Sequence, residues 1–554
     1  MLPLLTAAQM RLYDQHTIQT LGISSRTLME RAAQAAIEVM KRELTIDLKT
    51  RIFVLCGSGN NGGDGFAMAR FLWEEGYTVT VCYGGAWNGS HPEIERMSDQ
   101  CALQYDLWQT SGGRTKDNLP TLPSHSAVIV DALFGIGLDR PIVGKIAAWI
   151  EAVNESGLPV LAVDIPSGVC ADTGALLGCA IRASVTATMA YPKRGLLLYP
   201  GAVHTGKVAV CNIGIGQDAL LDENSSNTPT VYQITPEDLT PILDRPSYAN
   251  KGTFGRVLII GGMTGMSGAA YFAAKSAYRS GAGLVEILST ADNRIPLQTL
   301  IPEALFTAFA PTEQPNIQAL AAILDRADSV VLGCGLGQSS EALALTEHVL
   351  RLCQKPLILD ADALNLLAAN QQLKTILTAR SAPTVLTPHL GEAARLIGRP
   401  IPDIAESLFA TADDIARQYH AICVLKDART VVSDGSTRYI QNCGNSGMAS
   451  GGSGDCLAGL VGSLVAQHRN CANLPTAYLA ALAVLLHAMA GDCAAHCLGE
   501  HALMASDIAS AIGDILHALV SSRNPQQPLS LPPHFCIQNF LQNLKKSVDI
   551  LKTS

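Results

Sequence analysis

Strand-like runs that end in glycine-rich loops alternate with helical segments along most of the chain. Arg51–Cys56 reads as a buried strand, Gly57–Gly65 as the loop after it, Phe66–Glu75 as a helix and Tyr77–Cys82 as the next strand. Ala127–Val130, Ile142–Asn154 and Pro159–Val163 repeat strand, helix and strand. A second series opens with Arg256–Ile260, a glycine-rich loop, the helix Ala269–Arg279 and Leu284–Leu288. It continues through Ser329–Leu332, Pro356–Leu359, Thr384–Thr387 and Ile422–Lys426, then turns helical over Asp455–Gln467 and Thr476–Cys497. Parallel strands need crossover helices, so this alternation predicts two α/β units, each a doubly wound parallel sheet covered on both faces.

The pattern lapses into a polar Ser/Asn-rich run at 216–230, which reads as a linker. The expected division is therefore 1–215, a linker at 216–230, a second domain at 231–520 and a tail at 521–554. The tail is Pro/Gln-rich, ends in an amphipathic stretch from Cys536 to Leu551, and suggests no function. The two series share an architecture but no sequence period, so they do not read as a duplication.

Composition narrows the class. Hydrophobic residues make up 48% of the 554 residues and charged residues 16%, which excludes general disorder. A net charge of −9 lacks the basic footprint of nucleic-acid binding. Fifteen scattered cysteines read as reduced, buried thiols rather than a secreted disulfide frame. The N-terminus has no basic n-region, and Ala477–Ala490 looks too short to span a bilayer and contains His487. These features predict a soluble cytoplasmic protein with no nucleic acid or membrane partner.

In parallel sheets, ligands lie beyond the carboxyl ends of the strands. Three polar clusters fall there in the first unit: Asn60-Asn61-Gly62-Gly63-Asp64, Asp131 and Asp164. Glycine lets backbone amides approach phosphate, and a helix N-terminus favours an anion. Gly135-Ile136-Gly137-Leu138-Asp139-Arg140-Pro141 adds further amides and a guanidinium. Helix capping by Asn and Asp explains any one cluster; it explains three on one sheet edge less well.

Together with Val163-Asp164-Ile-Pro-Ser167-Gly and Tyr191-Pro-Lys193-Arg-Gly, these motifs resemble the NAD(P)HX epimerase domain over residues 1–215. The resemblance implies that Asn60–Asp64, Gly135–Pro141 and Asp164 line a hydrated-nucleotide site. It also implies K⁺ held by Asn61, Asp131 and Ser167, oxygen donors of the kind a hard cation prefers. Asp164 is then the proton-transfer candidate and Lys193 a second, weaker one.

In the second unit, Asn445-Ser-Gly-Met-Ala-Ser-Gly-Gly-Ser-Gly454-Asp455 precedes an apolar helix. Small residues at a helix start aim amides at phosphate charge, and a carboxylate beside them can take a proton from an attacking hydroxyl. Lys426-Asp427-Ala428-Arg429-Thr430 joins two short strands and would by itself pass for a charged hairpin. His389, after Thr387-Pro, would by itself pass for a satisfied neutral histidine.

With Lys251-Gly-Thr-Phe-Gly, Asp360-Ala-Asp362 and Gly281-Ala-Gly-Leu, these motifs resemble the ribokinase-like NAD(P)HX dehydratase domain over 230–515. The resemblance implies that Ala270, Gly335, His389 and Asp455 contact hydrated nicotinamide nucleotide, and that Lys426–Thr430 and Gly454 contact ADP. Asp455 is then the base and Mg²⁺ accompanies the donor. Cys334 departs from the Pro common in this turn, which puts the turn's rigidity in question. The implied enzyme is bifunctional, epimerising (R)- and (S)-NAD(P)HX and dehydrating the S form as ADP yields AMP and phosphate, and it is expected to be a homo-oligomer.

Two other classes stay open at this point. Gly-Ser-Gly-Asp also serves small-molecule kinases, whose product is a stable phosphate ester. A domain like the first one can also be a binding module that needs none of its site residues. Cys493 and Cys497, four apart near His487, His496 and His501, lack the second pair a structural Zn²⁺ site needs. They read as buried cysteines beside surface histidines.

Overall fold

In the first unit, the strand order reverses beside the central strand Arg51–Cys56. A computed structural model describes residues 1–216, 230–310, 316–467 and 474–523, and the chain divides into a unit from Leu2 to Pro229 and a unit from Thr230 onward. The first sheet runs Thr115–Lys116, Thr78–Tyr83, Arg51–Cys56, Ala127–Ala132, Val160–Val163, Val185–Met189, Lys207–Cys211. Every neighbour is parallel. Successive strands go one way from Arg51–Cys56 and then the other, so the crevice between Cys56 and Ala132 is the switch point where such sheets bind ligands. Four of the strands are buried along all or nearly all of their length, and in Arg51–Cys56, Ala127–Ala132 and Val160–Val163 near-continuous apolar runs match that burial.

Two helices precede this sheet, Ala7–Gln19 and Ser25–Leu44, and the sequence reading passed over both. Thr6 forms a capping box with Gln9, and Asp172 accepts the Ala7 amide at 2.7 Å. Met10, Tyr13 and Thr17, at helical spacing, face the core. The helix expected from Phe66 begins at Asn60 instead, so Asn60–Asp64 form its opening turns rather than a loop. Two glycines masked the helical signal there.

In the second unit the order is Val231–Gln233, Arg438–Ile440, Val431–Ser433, Ile422–Leu425, Thr384–Leu386, Leu357–Leu359, Ser329–Leu332, Arg256–Ile260, Leu284–Thr290, Leu305–Phe309. The order reverses between Ser329–Leu332 and Arg256–Ile260. Strands from Ile422–Leu425 to Leu305–Phe309 are parallel, and Val431–Ser433 runs antiparallel to both neighbours. The helices Ser267–Arg279, Ser453–Ala466, Thr476–Leu498 and Ala505–Ser522 pack on this unit's core. The last of them had not been read from the sequence.

The helix Thr476–Leu498 has 23 residues and is long and apolar enough to cross a membrane. Length therefore does not exclude a span, contrary to expectation. What distinguishes this helix is that 89% of its most apolar window is buried inside the unit. His487 is buried there, while Cys497 is exposed, reversing the roles expected for the histidine and that cysteine. The described cysteines are free. Most of the proposed linker and all but the first residues of the tail lie outside the described residues, including Cys536–Leu551.

Candidate active sites

In the first unit two post-strand segments close on each other. Gly57 donates its amide to Ala132 O at 3.0 Å, and a methyl at Gly57 would overlap the Leu133 carbonyl. The segments Ser58–Asp64 and Leu133–Arg140 then line a cavity of about 560 Å³ with Asp164, Met189, Lys193 and residues of the first helix. Asn60, Asn61, Asp64 and Gly135–Arg140 reach it, whereas Gly62 and Gly63 are buried behind the wall and Pro141 is exposed outside the lining.

Asp131 is fully buried in its strand. Its Oδ1 accepts from Ser167 Oγ at 2.6 Å and Leu133 N at 3.3 Å, and its Oδ2 from Ser167 N at 2.8 Å. None of these donors is a cation, and burial raises its pKa to about 6. Ser167 Oγ also accepts from Phe134 N at 2.9 Å and lies 3.3 Å from Phe134 O. Asn61, packed against Gly135, has a buried Nδ2 without a partner among the described residues, and a half-turn of that amide would present oxygen instead. An uncompensated carboxylate among hydroxyl, carbonyl and amide groups fits a hard monovalent cation.

Asp164 follows the strand Val160–Val163 with φ at 69°, a left-handed conformation that costs about 1 kcal/mol or more outside glycine. Its Oδ1 pairs with Lys193 Nζ and accepts Met189 N at 3.0 Å. Lys193 is fully buried and also donates to Thr188 Oγ1 at 3.1 Å and Met189 O at 2.9 Å. The two proton-transfer candidates are thus one ion pair in the cavity. Arg11 and Asp14, on the first helix, also line it and had gone unread.

The second site is built at the other switch point. Gly333-Cys334-Gly335-Leu336-Gly337 has φ of 123°, 62° and 77° at its glycines. Cys334 O accepts Gly262 N at 2.8 Å, Gly335 O accepts Met263 N at 2.7 Å, and Gly337 N donates to Asp362 Oδ2 at 2.8 Å. Backbone bonds pin this turn without the family's Pro. A cavity of about 220 Å³ with Met263, Met266 and Leu336 in its wall borders it. Ala270 is fully buried, and a methyl at Gly262 would meet its Cβ at 2.6 Å.

Asp360 had been read only as part of a motif, yet it centres this site. It precedes Ala361, whose φ of 48° is left-handed, and its own side chain is 2% exposed. Its Oδ1 accepts from Lys426 Nζ and Thr387 Oγ1, both at 2.7 Å. Ligand atoms of Asp360, Asp455 and Cys334 lie within 4.8 Å of one another. Asp455 sits in the first turn of Ser453–Ala466, which no side chain caps. Burial, then the Asp360 charge, raises its pKa to about 6. Burial likewise pushes the Cys334 thiol far up.

Neighbouring groups hold this centre. A Cβ at Gly454 would stand 3.3 Å from Lys426 Nζ, so Lys426 lies against the helix start. Asp492 accepts Gly444 N and Asn445 Nδ2, both at 2.8 Å, anchoring the loop before that helix; it too had been missed. His389 caps its helix through Nδ1, accepting Gly391 N at 2.9 Å, and burial lowers its pKa. Asp427 and Ala428 are exposed, Arg429 donates to Cys443 O at 3.3 Å, and Thr430 is buried with Oγ1 3.3 Å from Asp427 O. His487 meets Ser453 Oγ at 3.5 Å beneath the helix start.

Two doubly wound α/β units, each with ionisable groups gathered at its switch point, define a two-domain enzyme. Residues 25–195 match the family described as YjeF-related protein N-terminus, and 257–513 match NAD(P)H-hydrate dehydratase. The bifunctional NAD(P)H-hydrate repair enzyme Nnr of Moorella thermoacetica is 34% identical over 93% of this chain and 97% of its own. Its Escherichia coli counterpart is 34% identical over 95% and 96%. A Bacillus subtilis ADP/ATP-dependent NAD(P)H-hydrate dehydratase, co-crystallised with ATP/Mg²⁺, is 27% identical over 50% of this chain and 94% of its own, with a TM-score of 0.42. The chain belongs to the bifunctional NAD(P)H-hydrate repair enzymes, with an epimerase domain followed by a dehydratase domain.

Proposed function

We propose that the first unit interconverts (R)- and (S)-NAD(P)HX around the Asp164–Lys193 pair, and that the second dehydrates (S)-NAD(P)HX with ADP as donor. The domain limits proposed are 1–215 and 231–520. The observation that supports the second role best is the convergence of Lys426 Nζ, Gly454 and Asp455. Hydroxide is a poor leaving group from C6 of the hydrated nicotinamide ring. Asp455 takes the proton of that hydroxyl as its oxygen attacks the terminal phosphorus of ADP, the phosphoanhydride bond breaks, and AMP departs. Phosphate then leaves C6 with its bonding pair, pushed by the ring nitrogen, and loss of the C5 proton restores NAD(P)H. Lys426 and the helix-start amides hold the phosphates.

Mg²⁺ would be held mainly by the donor's phosphates with Asp360 the nearby protein carboxylate, and would screen their charge. In the first unit K⁺ would be held by Asn61, Asp131 and Ser167, neutralising Asp131 and fixing the two post-strand segments. The enzyme is read as a cytoplasmic homo-oligomer acting on NADHX, NADPHX and ADP. Free cysteines support the compartment, and light scattering tests the oligomer. Incubating (S)-NADHX with ADP or ATP while following reduced-nicotinamide absorbance and phosphate tests the dehydratase; a stable phosphate ester instead would identify a kinase.

A further inference from the structure

The first-unit cavity holds a carboxyl besides the Asp164–Lys193 pair. Asp14 comes from the helix Ala7–Gln19, beside Tyr13, which packs edge-on against Tyr191. It lines the same cavity as Asp164 and Lys193 and makes no hydrogen bond among the described residues. The capping box at Thr6 and the Asp172 bond to Ala7 N fix its helix at the start. A half-buried carboxyl held on a rigid element, facing a cavity and left without a partner, is poised for something the cavity receives.

Epimerisation at C6 asks for more than one proton carrier. The hydroxyl must leave one face of the ring and return to the other, and a single carboxyl held on one wall serves one face. We infer that Asp14 is the second proton carrier of the epimerase, working with Asp164 on the two faces of C6. The inference rests on the assignment of epimerisation to this unit.

In one direction Asp14 gives its proton to the C6 hydroxyl. The C6–O bond breaks, its electron pair leaves with water, and the ring-nitrogen lone pair forms the C6=N⁺ bond. Water adds to the other face, its proton passes to Asp164, and the C6=N π pair returns to nitrogen. Exchange with solvent then re-protonates Asp14 and deprotonates Asp164, so atoms and charge balance in every turnover, and the opposite epimer runs the same steps with the two carboxyls exchanged. The charged groups facing Asp14 suit this use. Asp164 and Lys193 line the same cavity, Asp64 comes from the helix Asn60–Glu74, Asp139 and Arg140 from the segment after Ala132, and Arg11 from its own helix. Burial first, with the Asp164 charge adding and Lys193 opposing, raises Asp14 to about 6, where it can both give and take a proton near neutrality.

The test uses the full chain and chromatographic interconversion of purified NADHX epimers without ADP, so that the dehydratase is idle. Asp14→Asn is expected to slow interconversion by roughly 10²–10⁴-fold and to remove an ionisation near pH 6 from the kcat/KM profile. Asp14→Glu is expected to restore much of the rate and an ionisation of its own. ADP-dependent NADH formation from (S)-NADHX should be unchanged in both and reports an intact chain. Wild-type interconversion in Asp14→Asn overturns the inference. So does an equal loss in Asp14→Asn and Asp14→Glu with the wild-type pH profile, which would mark a structural role. If Asp14→Asn does not fold, Asp14→Ala takes its place, and wild-type interconversion in that variant overturns the inference. Absence of interconversion in the wild type would instead remove the epimerase assignment.

Discussion

Lys426 Nζ lies 2.7 Å from Asp360 Oδ1, and the two side chains are 18% and 2% exposed. This ion pair is pressed against Gly454, at the start of the helix that carries Asp455. Lys426 neutralises a buried carboxylate, and in the proposed function it also meets the donor's phosphates. Lys426→Ala should weaken apparent ADP affinity by about 10- to 150-fold, from the loss of a charge-assisted contact. It should also destabilise the second unit by about 3–5 kcal/mol, because Asp360 is left charged and unpaired. Adding Asp360→Asn should recover much of the stability and none of the ADP affinity. Thermal melts and ADP titrations separate the two, and equal weakening toward ADP and NADHX would reduce Lys426 to a structural role.

Asp455→Asn should lower ADP-dependent dehydration by about 10²–10⁴-fold and leave epimerisation intact. The same substitution should stabilise the second unit. A carboxyl whose pKa rises from 3.8 to about 6 on folding prefers to keep its proton in the native state. Its ionisation therefore costs stability, absent below pH about 3.8 and complete above pH about 6, of about 2–3 kcal/mol. Denaturation at pH 5 and pH 8 checks the sign: the gain should be larger at pH 8. Wild-type dehydration should fall as pH drops through about 6, because the base is then protonated.

Asp131→Ala should weaken epimerisation chiefly by removing a K⁺ ligand and loosening the segments after Cys56 and Ala132. Titrating K⁺ against the epimerisation rate decides it. An unchanged K⁺ dependence in the variant would rule out the ligand role.

Gly459→Ala tests how the Asp455 helix is seated. A methyl there would overlap the Ala273 carbonyl oxygen, so the helices Ser453–Ala466 and Ser267–Arg279 must part. A loss of about 1–3 kcal/mol in chemical denaturation is expected, with reduced dehydration and normal epimerisation.

The buried strands were legible because their β-branched runs have few alternatives, and Arg256–Ile260 and Ser329–Leu332 fall where the periodicity put them. Asn60–Asp64 read as loop because glycines weaken helix propensity, while the close approach of Gly62 to the Gly57 carbonyl and of Gly63 to Met29 demands them. Asp14 carries no motif; its place in the site depends on how the first helix packs, which no local pattern encodes. Asp360 offered a signal that went unused, a carboxylate directly after a parallel strand, like Asp131 and Asp164. Pairing of Lys193 with Asp164 spans 29 residues and emerges only once the sheet is assembled.

One chain with separate machinery for the two steps should clear both epimers, and an equilibrated NADHX mixture given to the full chain with ADP measures this. Wild-type enzyme should convert the whole mixture to NADH with one phosphate released per NADH. Asp164→Asn should stop once the S form is spent, leaving (R)-NADHX to the slow uncatalysed interconversion. Complete and rapid conversion by Asp164→Asn would show that Asp164 is not needed to feed the dehydratase, and accumulation of a stable phosphate ester by the wild type would show a kinase instead.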